Sequence, residues 1–332
     1  MTVEHTDRAR LARPFRRSLS DARMQALTEA AAQPDHWWRD LLTLWRPSGT
    51  TAGAHGLRLA LRDGYLNFYR RGQSVARVGF DGRNRPKLSV HAKYVVSEEE
   101  RRLPGLKYAS LTSREIVHPE IPDRPYEGVE TLKAWIATID AGYSKVGGEK
   151  PLIDLLLDQP DNASVIDLEM GLPAWGDETA APRMDVVTIE DRNGRLVIVF
   201  GEVKRVDDSR IRCSVGAKPE VMKQLDKYER YLDVPAHRDA IINAYRHSAS
   251  RLTELADMAR GVGNAEVALG STLVRAASGE ALDIADKAAL VVIRHGRFSE
   301  PHWLRHRQRL VDLGVRVVDL DGPTAMNLGA QA

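Results

Sequence analysis

The chain of 332 residues has one cysteine, Cys213, and no apolar run as long as the roughly 18 residues of a membrane-spanning helix. A single cysteine excludes a disulfide-stabilised scaffold and a zinc site built from several cysteines. The arginine-rich start lacks the apolar stretch of a secretory signal, and its acidic residues Glu4 and Asp7 argue against an organelle transit peptide. We therefore expect a soluble protein of a reducing compartment, located in the cytoplasm.

The chain also lacks a glycine-rich phosphate-binding loop, so ATP use within it is not expected. Apolar residues make up 43% of the sequence and charged residues 28%, a composition that supports a packed core. Residues 1–127 carry seven more basic than acidic residues, whereas the remainder carries five more acidic than basic ones. This asymmetry is typical of a nucleic-acid-binding part attached to a carboxylate-rich catalytic part, although ordinary variation in charge gives the same pattern.

Two domains are predicted from the patterns along the chain. Residues 1–127 are expected to form an α+β domain, with a helix over 20–46 and a small antiparallel sheet over 55–96. Three prolines within 117–128 indicate a linker. Residues 128–332 follow the order helix, three strands, helix, strand, helix, strand, which favours a mixed sheet with helices on both faces.

One predicted hairpin brings two carboxylates together. Asn193-Gly194 is a favoured dipeptide of two-residue type I′ turns, because both central positions need a positive φ. Pairing outward from this turn places Asp185 opposite Glu202, with side chains about 4.5–5.5 Å apart on one face. Lys204 lies two residues beyond Glu202 and therefore on the same face. Both faces of the second strand are otherwise apolar, so charged residues at its end require an explanation.

A divalent cation would explain these three charged side chains. Two adjacent carboxylates repel each other and lose hydration, and a hard cation such as Mg²⁺ offsets both effects. Mg²⁺ or Mn²⁺ can polarise a phosphoryl group and lower the pKa of a bound water, and a neighbouring lysine can orient that water. The triplet of Asp185, Glu202 and Lys204 thus predicts metal-assisted hydrolysis of phosphodiesters, as opposed to a simple surface pair of glutamate and lysine.

The same residues resemble the signature of the PD-(D/E)XK nuclease superfamily. Asp185, Glu202 and Lys204 occupy its three positions, and Met184 stands where the name-giving proline would be. The resemblance implies an α/β fold with a restriction-endonuclease-like mixed β-sheet flanked by helices, preceded here by the α+β domain. It also implies that the backbone carbonyl group of Val203 is a further metal ligand.

A second motif follows on the next predicted helix. Gln224 and Tyr228 are similar to the QxxxY motif of the RecB-like branch of these nucleases, in which the two residues support the active site and contact DNA. Positions i and i+4 share a helix face, so both side chains can point toward the site. The resemblance further implies one upstream acid. The candidates are Glu169, with Asp167 in reserve on the same strand face, and as lesser rivals Glu149 and Glu130.

Basic and aromatic residues around these motifs are candidates for nucleic-acid contact. Aromatic rings can stack on bases while basic side chains hold phosphates. The candidates are Lys218, Arg205, Arg210, Tyr69, Arg70 and Arg71. Alternate aromatic residues on a strand are more often part of a core, and arginines in a loop are often simply exposed.

The sequence thus predicts a Mg²⁺- or Mn²⁺-dependent nuclease that acts on DNA, with RNA as a second candidate substrate. The alternative is a catalytically inactive nucleic-acid-binding or assembly protein on a nuclease-like fold. Residues 1–127 fall outside the resemblance, so dimerisation or binding of a protein partner are alternative roles for them. Restriction, repair and anti-phage defence are all compatible with the motif, and nucleases of this superfamily often act as homodimers or in larger complexes.

Overall fold

A computed structural model describes residues 14–97, 99–100, 108–112, 114–142, 148–173, 183–212 and 216–326. Cys213 and the arginines before residue 14 lie outside these ranges. The described helices are α1 (Asp21–Ala32), α2 (Trp37–Leu44), α3 (Val129–Gly142), α4 (Glu149–Leu157), α5 (Val221–Leu232), α6 (Pro235–Gly261), α7 (Ser271–Ala277) and α8 (Glu300–Asp312). Within the described part of the chain, no helix has both the length and the apolar character needed to cross a membrane.

The described strands form two sheets, one of seven and one of six strands. The first contains β1 (Arg58–Leu61), β2 (Leu66–Arg70), β3 (Gln73–Phe80), β4 (Pro86–His91), β5 (Tyr108–Leu111), β6 (Glu115–His118) and β7 (Ile121–Pro125). The second contains β8 (Val165–Gly171), β9 (Arg183–Arg192), β10 (Arg195–Arg205), β11 (Leu282–Ile284), β12 (Ala289–Ile293) and β13 (Arg316–Leu320).

The seven-stranded sheet is antiparallel throughout and runs in sequence order from β1 to β7. The single helix expected over 20–46 is wrong in its extent: α1 and α2 are separate, and Pro34 lies between them. Proline cannot continue a helix because it lacks a backbone N–H and its ring clashes with the preceding turn. Ser20 caps α1, since its side chain accepts a hydrogen bond from the backbone N–H of Arg23.

The linker expected over 117–128 is wrong, because most of this segment is strand. It contains the end of β6 and the whole of β7, which pair with each other at one side of the seven-stranded sheet. β7 is an edge strand, and an edge position tolerates proline because one side of the strand makes no ladder hydrogen bonds. Pro122 and Pro125 are therefore compatible with the strand that they were expected to exclude.

The six-stranded sheet is mixed, as predicted, and β10 lies at its centre. The order is β13-β12-β10-β9-β8, and β11 pairs with the first half of β10. β8, β9 and β10 are antiparallel to one another, whereas β11, β12 and β13 run parallel to β10. α7 and β11 are the elements of this part that the sequence pattern did not predict.

Helices cover both faces of the mixed sheet. On one face, Leu152 and Leu156 of α4 pack in a cluster with Val199 of β10. On the other face, Tyr228 of α5 and Tyr245 of α6 pack in a much larger cluster. That larger cluster also includes apolar residues of α1, α2 and the seven-stranded sheet, so the two sheets share one core. The domain boundary near residue 127 stays a prediction.

Candidate active site

The β9–β10 hairpin has the predicted turn and register. Asn193 and Gly194 both have a positive φ, of 55° and 81°, which is the backbone geometry that a type I′ turn requires. The paired residues extend from Arg192 opposite Arg195 to Val186 opposite Gly201. One further step along this register sets Asp185 beside Glu202, at the end of the apolar part of both strands.

Lys204 lies at the centre of the resulting cluster. Its Nζ atom is 2.5 Å from Oε1 of Glu202, 2.7 Å from the carbonyl oxygen of Val203 and 3.7 Å from Oδ2 of Asp185. Asp185 in turn accepts a hydrogen bond of 2.8 Å from the backbone N–H of Val203. Lys204 is 1% exposed and Glu202 is 3% exposed, so these two form the floor of the site.

Glu149 joins the cluster from the first turn of α4. Its Oε2 atom lies 3.3 Å from Nζ of Lys204 and 3.3 Å from Nη2 of Arg210. Glu149 was predicted only as a lesser rival of Glu169. Its proximity to Lys204 depends on how α4 packs against β10, and no local sequence pattern encodes that packing. Glu130, the other lesser rival, pairs instead with Lys133 on the surface of α3, at 2.7 Å.

Glu169, the preferred upstream acid, also flanks Asp185. The β8–β9 register places it opposite Asp185, because Leu168 pairs with Val186 and Met170 with Met184. Its carboxylate contacts Nζ of Lys150 at 3.1 Å. Asp185 and Glu169 line one pocket, together with Lys150.

Asp167 is not part of this cluster, which corrects the expectation that it shares a face with Glu169. Its carboxylate contacts Arg17, Arg62 and the hydroxyl group of Tyr245 in the core. The strict alternation of a strand fails at Glu169, whose backbone has a φ of 47°.

Gln224 and Tyr228 have different surroundings although they share one face of α5. Nε2 of Gln224 donates to Oε2 of Glu202 at 2.6 Å and to the carbonyl oxygen of Arg183 at 2.5 Å. Tyr228 is fully buried and packs on Phe200, with ring centroids 4.6 Å apart. Gln224 therefore fixes Glu202 directly, whereas Tyr228 supports β10 from beneath and is too deeply buried to contact DNA.

Burial and repulsion from neighbouring carboxylates raise the pKa values of both Asp185 and Glu202. Burial raises the pKa of Glu202, and the neighbouring Asp185 raises it further. Burial also raises the pKa of Asp185, against the attraction of Lys204. Burial alone would lower the pKa of Lys204, but Asp185 and Glu202 more than offset this, so its pKa lies above the usual value. The lysine is thus a stable cation, and it does not balance both carboxylates.

Two of the expected nucleic-acid contacts are contradicted by burial. Tyr69 is buried, and its hydroxyl group accepts a hydrogen bond of 3.2 Å from Arg62. Arg70 is also buried and pairs with Asp140 at 2.9 Å. Arg71 is half-buried and pairs with the same aspartate at 3.2 Å.

The remaining candidates lie near the end of β10 or before α5. Arg205 is half-buried and pairs with Asp207 at 2.6 Å. Arg210 reaches the acidic cluster through Glu149, and Lys218 is exposed. Their role in nucleic-acid contact stays a prediction.

The donor set fits a hard divalent cation. Asp185, Glu202 and the carbonyl group of Val203 offer only oxygen atoms, and Mg²⁺ is typically bound by one or two carboxylates with waters as its other ligands. Such a cation would reduce the repulsion between the two carboxylates, which share a single lysine. In the described ranges, no group of three or more His, Cys, Asp and Glu side chains is placed so that it could hold a metal ion.

Comparisons of the chain with protein-family models, curated proteins and solved structures found no match.

Proposed function

We propose that the chain is a metal-dependent nuclease of the PD-(D/E)XK type, with a restriction-endonuclease-like catalytic sheet that hydrolyses phosphodiester bonds in DNA. The observation that supports this most strongly is the convergence on Lys204. Its ammonium group lies 2.5 Å from Glu202, 3.3 Å from Glu149 and 3.7 Å from Asp185. These four residues come from α4, β9 and β10, and only the pairing of β9 with β10 follows from local sequence.

A purely structural ion pair is a poorer explanation of this cluster. A buried ion pair is tolerated when its charges balance and its remaining polar atoms are satisfied. Here the buried Glu202 and the half-buried Asp185 share one lysine, and both carboxyl groups have raised pKa values. Such perturbed groups concentrate at functional sites, where stability is sacrificed for chemistry.

Asp185 and Glu202 would hold the cation together with the carbonyl oxygen of Val203. When bound, Mg²⁺ or Mn²⁺ supplies polarisation of the phosphoryl group and a lower pKa for a coordinated water. Gln224 fixes the orientation of Glu202, because it occupies one lone pair of Oε2 and leaves others free.

Lys204 would orient the attacking water and stabilise negative charge on the phosphate. Its two short hydrogen bonds, to Glu202 and to the carbonyl group of Val203, fix the ammonium group beside both proposed ligands. A preorganised cation in a buried site stabilises developing charge far more than a solvated one does. Glu149 and Glu169 are more exposed than Glu202 and lie where they can accept a proton from water.

The test is an incubation of the purified chain with supercoiled plasmid, linear duplex, single-stranded DNA and RNA. Each substrate is exposed to Mg²⁺, Mn²⁺ or EDTA. We expect cleavage of DNA that requires the cation and is lost in Lys204→Ala, whereas the control Lys133→Ala, which breaks only a surface pair, cleaves normally. Full activity of a folded Lys204→Ala protein would refute these roles. Binding of DNA that is equal in EDTA, without any cleavage, would favour the inactive binding protein.

A further inference from the structure

Glu169 has an unusual backbone conformation for a residue inside a strand. It is one of four described residues other than glycine that have a φ between 46° and 60°. The other three lie in turns between strands and are Arg71, Asn84 and Asn193. Glu169 lies within β8, and its neighbours Leu168 and Met170 still pair with β9. A positive φ in a residue with a long side chain is unfavourable and persists only where surrounding contacts hold it.

The ammonium group of Lys150 contacts the side chain that this backbone presents. Nζ of Lys150 lies 3.1 Å from Oε1 of Glu169. Lys150 follows Glu149 in the first turn of α4, and Glu149 contacts Lys204. Two consecutive residues of α4 therefore contact Glu169 and Lys204, both of which neighbour Asp185.

The β2–β3 turn, Arg71-Gly72, also contacts Lys150. Nζ of Lys150 donates a hydrogen bond of 3.2 Å to the carbonyl oxygen of Gly72. The backbone N–H of Arg71 donates one of 3.3 Å to Oδ2 of Asp154. Lys150 and Asp154 are four residues apart on α4 and so share one face of the helix. A turn of the seven-stranded sheet is thus seated on the face of α4 that contacts Glu169.

Gly72 packs closely against the aliphatic part of Lys150. A Cβ atom at position 72 would lie 2.7 Å from Cδ of Lys150 and 3.0 Å from its Cβ and Cγ atoms. The φ of Gly72 is 65°, which glycine adopts without strain. The turn therefore confines the side chain of Lys150 while its ammonium group contacts Glu169.

A simple surface ion pair does not account for these contacts. Lys133 and Glu130 form such a pair within one helix, at positions i and i+3. Lys150 instead joins α4, β8 and the β2–β3 turn, and it lines one pocket together with Glu169 and Asp185. An isolated surface pair contributes little to stability and would not hold an unfavourable φ.

We propose that Lys150 is a positioning residue, which holds the carboxylate of Glu169 beside the proposed metal ligand Asp185. The β2–β3 turn completes the catalytic centre through Lys150, and this gives residues 1–127 a role in cleavage. The assignment rests on the proposed nuclease function. Because Lys150 acts through Glu169, its loss slows cleavage without weakening the binding of DNA.

A double-mutant cycle tests whether Lys150 acts through Glu169. Single-turnover cleavage of a DNA duplex in Mg²⁺ is measured for Lys150→Ala, Glu169→Gln and the double variant. We expect Lys150→Ala to lower the rate about tenfold when Glu169 is present, but less than about twofold in the Glu169→Gln background. The control Lys133→Ala, which removes the same charge from a surface pair, keeps the wild-type rate. An equal fractional loss in both backgrounds would overturn the proposal.

Binding of a fluorescein-labelled duplex in EDTA, followed by fluorescence anisotropy, excludes a direct contact with DNA. We expect Lys150→Ala and Lys133→Ala to bind the duplex equally well. Weaker binding by Lys150→Ala than by Lys133→Ala would mean that Lys150 holds a phosphate of the DNA, which would also overturn the positioning role.

The contribution of the turn is tested at Gly72 against a matched glycine. Gly279 also has a positive φ, of 94°, but a Cβ atom there would meet no described atom within 4 Å. Both alanine variants carry backbone strain, and only Gly72→Ala displaces Lys150. We expect folded Gly72→Ala to cleave severalfold more slowly than folded Gly279→Ala. Equal rates would remove the turn from the catalytic centre.

Crystal structures of the wild type and Lys150→Ala give a readout that is independent of cleavage. We expect the carboxylate of Glu169 to leave its place beside Asp185 in the variant, with the rest of the fold unchanged. An unmoved carboxylate, combined with cation-dependent cleavage by the wild type, would reject the role of Lys150 and leave the nuclease. A displaced carboxylate, combined with no cleavage in Mg²⁺ or Mn²⁺, would reject the nuclease and with it any catalytic role of Lys150.

Discussion

Two buried acidic centres in this molecule are built on neighbouring strands but differ in how their charge is balanced. At Asp167, one carboxylate contacts Arg17 and Arg62 and accepts a hydrogen bond of 3.1 Å from Tyr245. Burial alone would raise the pKa of Asp167, yet the two arginines more than offset this, so the pKa lies below its usual value. At the other centre, Asp185 and Glu202 share Lys204, and both carboxyl groups have raised pKa values.

The difference in balance indicates a difference in role. Arg17 precedes the strands of the seven-stranded sheet, and Arg62 lies among them. Their ion pairs with Asp167 therefore connect that part of the chain to β8. The negative charge of Asp167 is fully compensated by these arginines, because an arginine stays charged in a protein interior. At the centre around Lys204, two carboxyl groups with raised pKa values share one lysine, and we propose that a cation from solution stabilises their charged forms.

The largest expected effect is on cleavage. Replacing Asp185 by asparagine removes a proposed metal ligand with little change in volume, so DNA cleavage should fall by on the order of 10³-fold. Single-turnover cleavage in Mg²⁺ measures the loss. The control is Asp257→Asn, which alters only an exposed pair with Arg260. A variant that keeps more than about a tenth of the activity would remove Asp185 from the catalytic centre.

The second expected effect is on stability and belongs to the other centre. Asp167→Asn leaves Arg17 and Arg62 buried without a carboxylate, which should lower the free energy of unfolding by about 3–5 kcal/mol. Urea denaturation measures this, with Asp257→Asn again as the control, for which we expect a change below about 0.5 kcal/mol. Equal stabilities of the two variants would mean that the Asp167 centre does not fasten the sheets.

A smaller effect of opposite sign is expected at Glu202. Because burial and Asp185 raise the pKa of Glu202, its charged form is unfavourable in the folded state at neutral pH. In metal-free buffer, Glu202→Gln should leave the free energy of unfolding unchanged or raise it by up to about 1 kcal/mol. A loss of several kcal/mol in the same denaturation experiment would show that the two centres are alike and structural.

The smallest effect is the pH dependence of the Asp167 centre. The folded-state pKa of Asp167 is lowered, so its contribution to stability is complete above the unfolded-state pKa of about 3.9 and is lost as pH falls below it. Stability measured between about pH 5 and pH 2 should therefore decline more steeply in the wild type than in Asp167→Asn. Parallel declines would indicate that Asp167 is not charge-stabilised.

The acidic site was largely predictable because its central part is local. The Asn193-Gly194 turn fixes the β9–β10 register, and that register alone brings Asp185 beside Glu202. Gln224 was also predictable, since it follows on the next helix and reaches the same glutamate.

The rest depended on contacts between distant parts of the chain. Glu149 reaches Lys204 only because α4 packs on the mixed sheet, and Arg70 is buried only because Asp140 of α3 neutralises it. β7 was missed because prolines argue against a strand unless the strand is known to lie at an edge. Sequence spacing carries none of this information.

Calorimetric titration of the folded, metal-free protein with Mn²⁺ addresses the central difference between the two centres. We expect the wild type and Asp257→Asn to bind Mn²⁺, and Glu202→Gln to bind it at least about tenfold more weakly, because a carboxylate ligand is lost. Equal Mn²⁺ affinity in Glu202→Gln and the wild type, or no Mn²⁺ binding by the wild type, would contradict a cation site at Asp185 and Glu202.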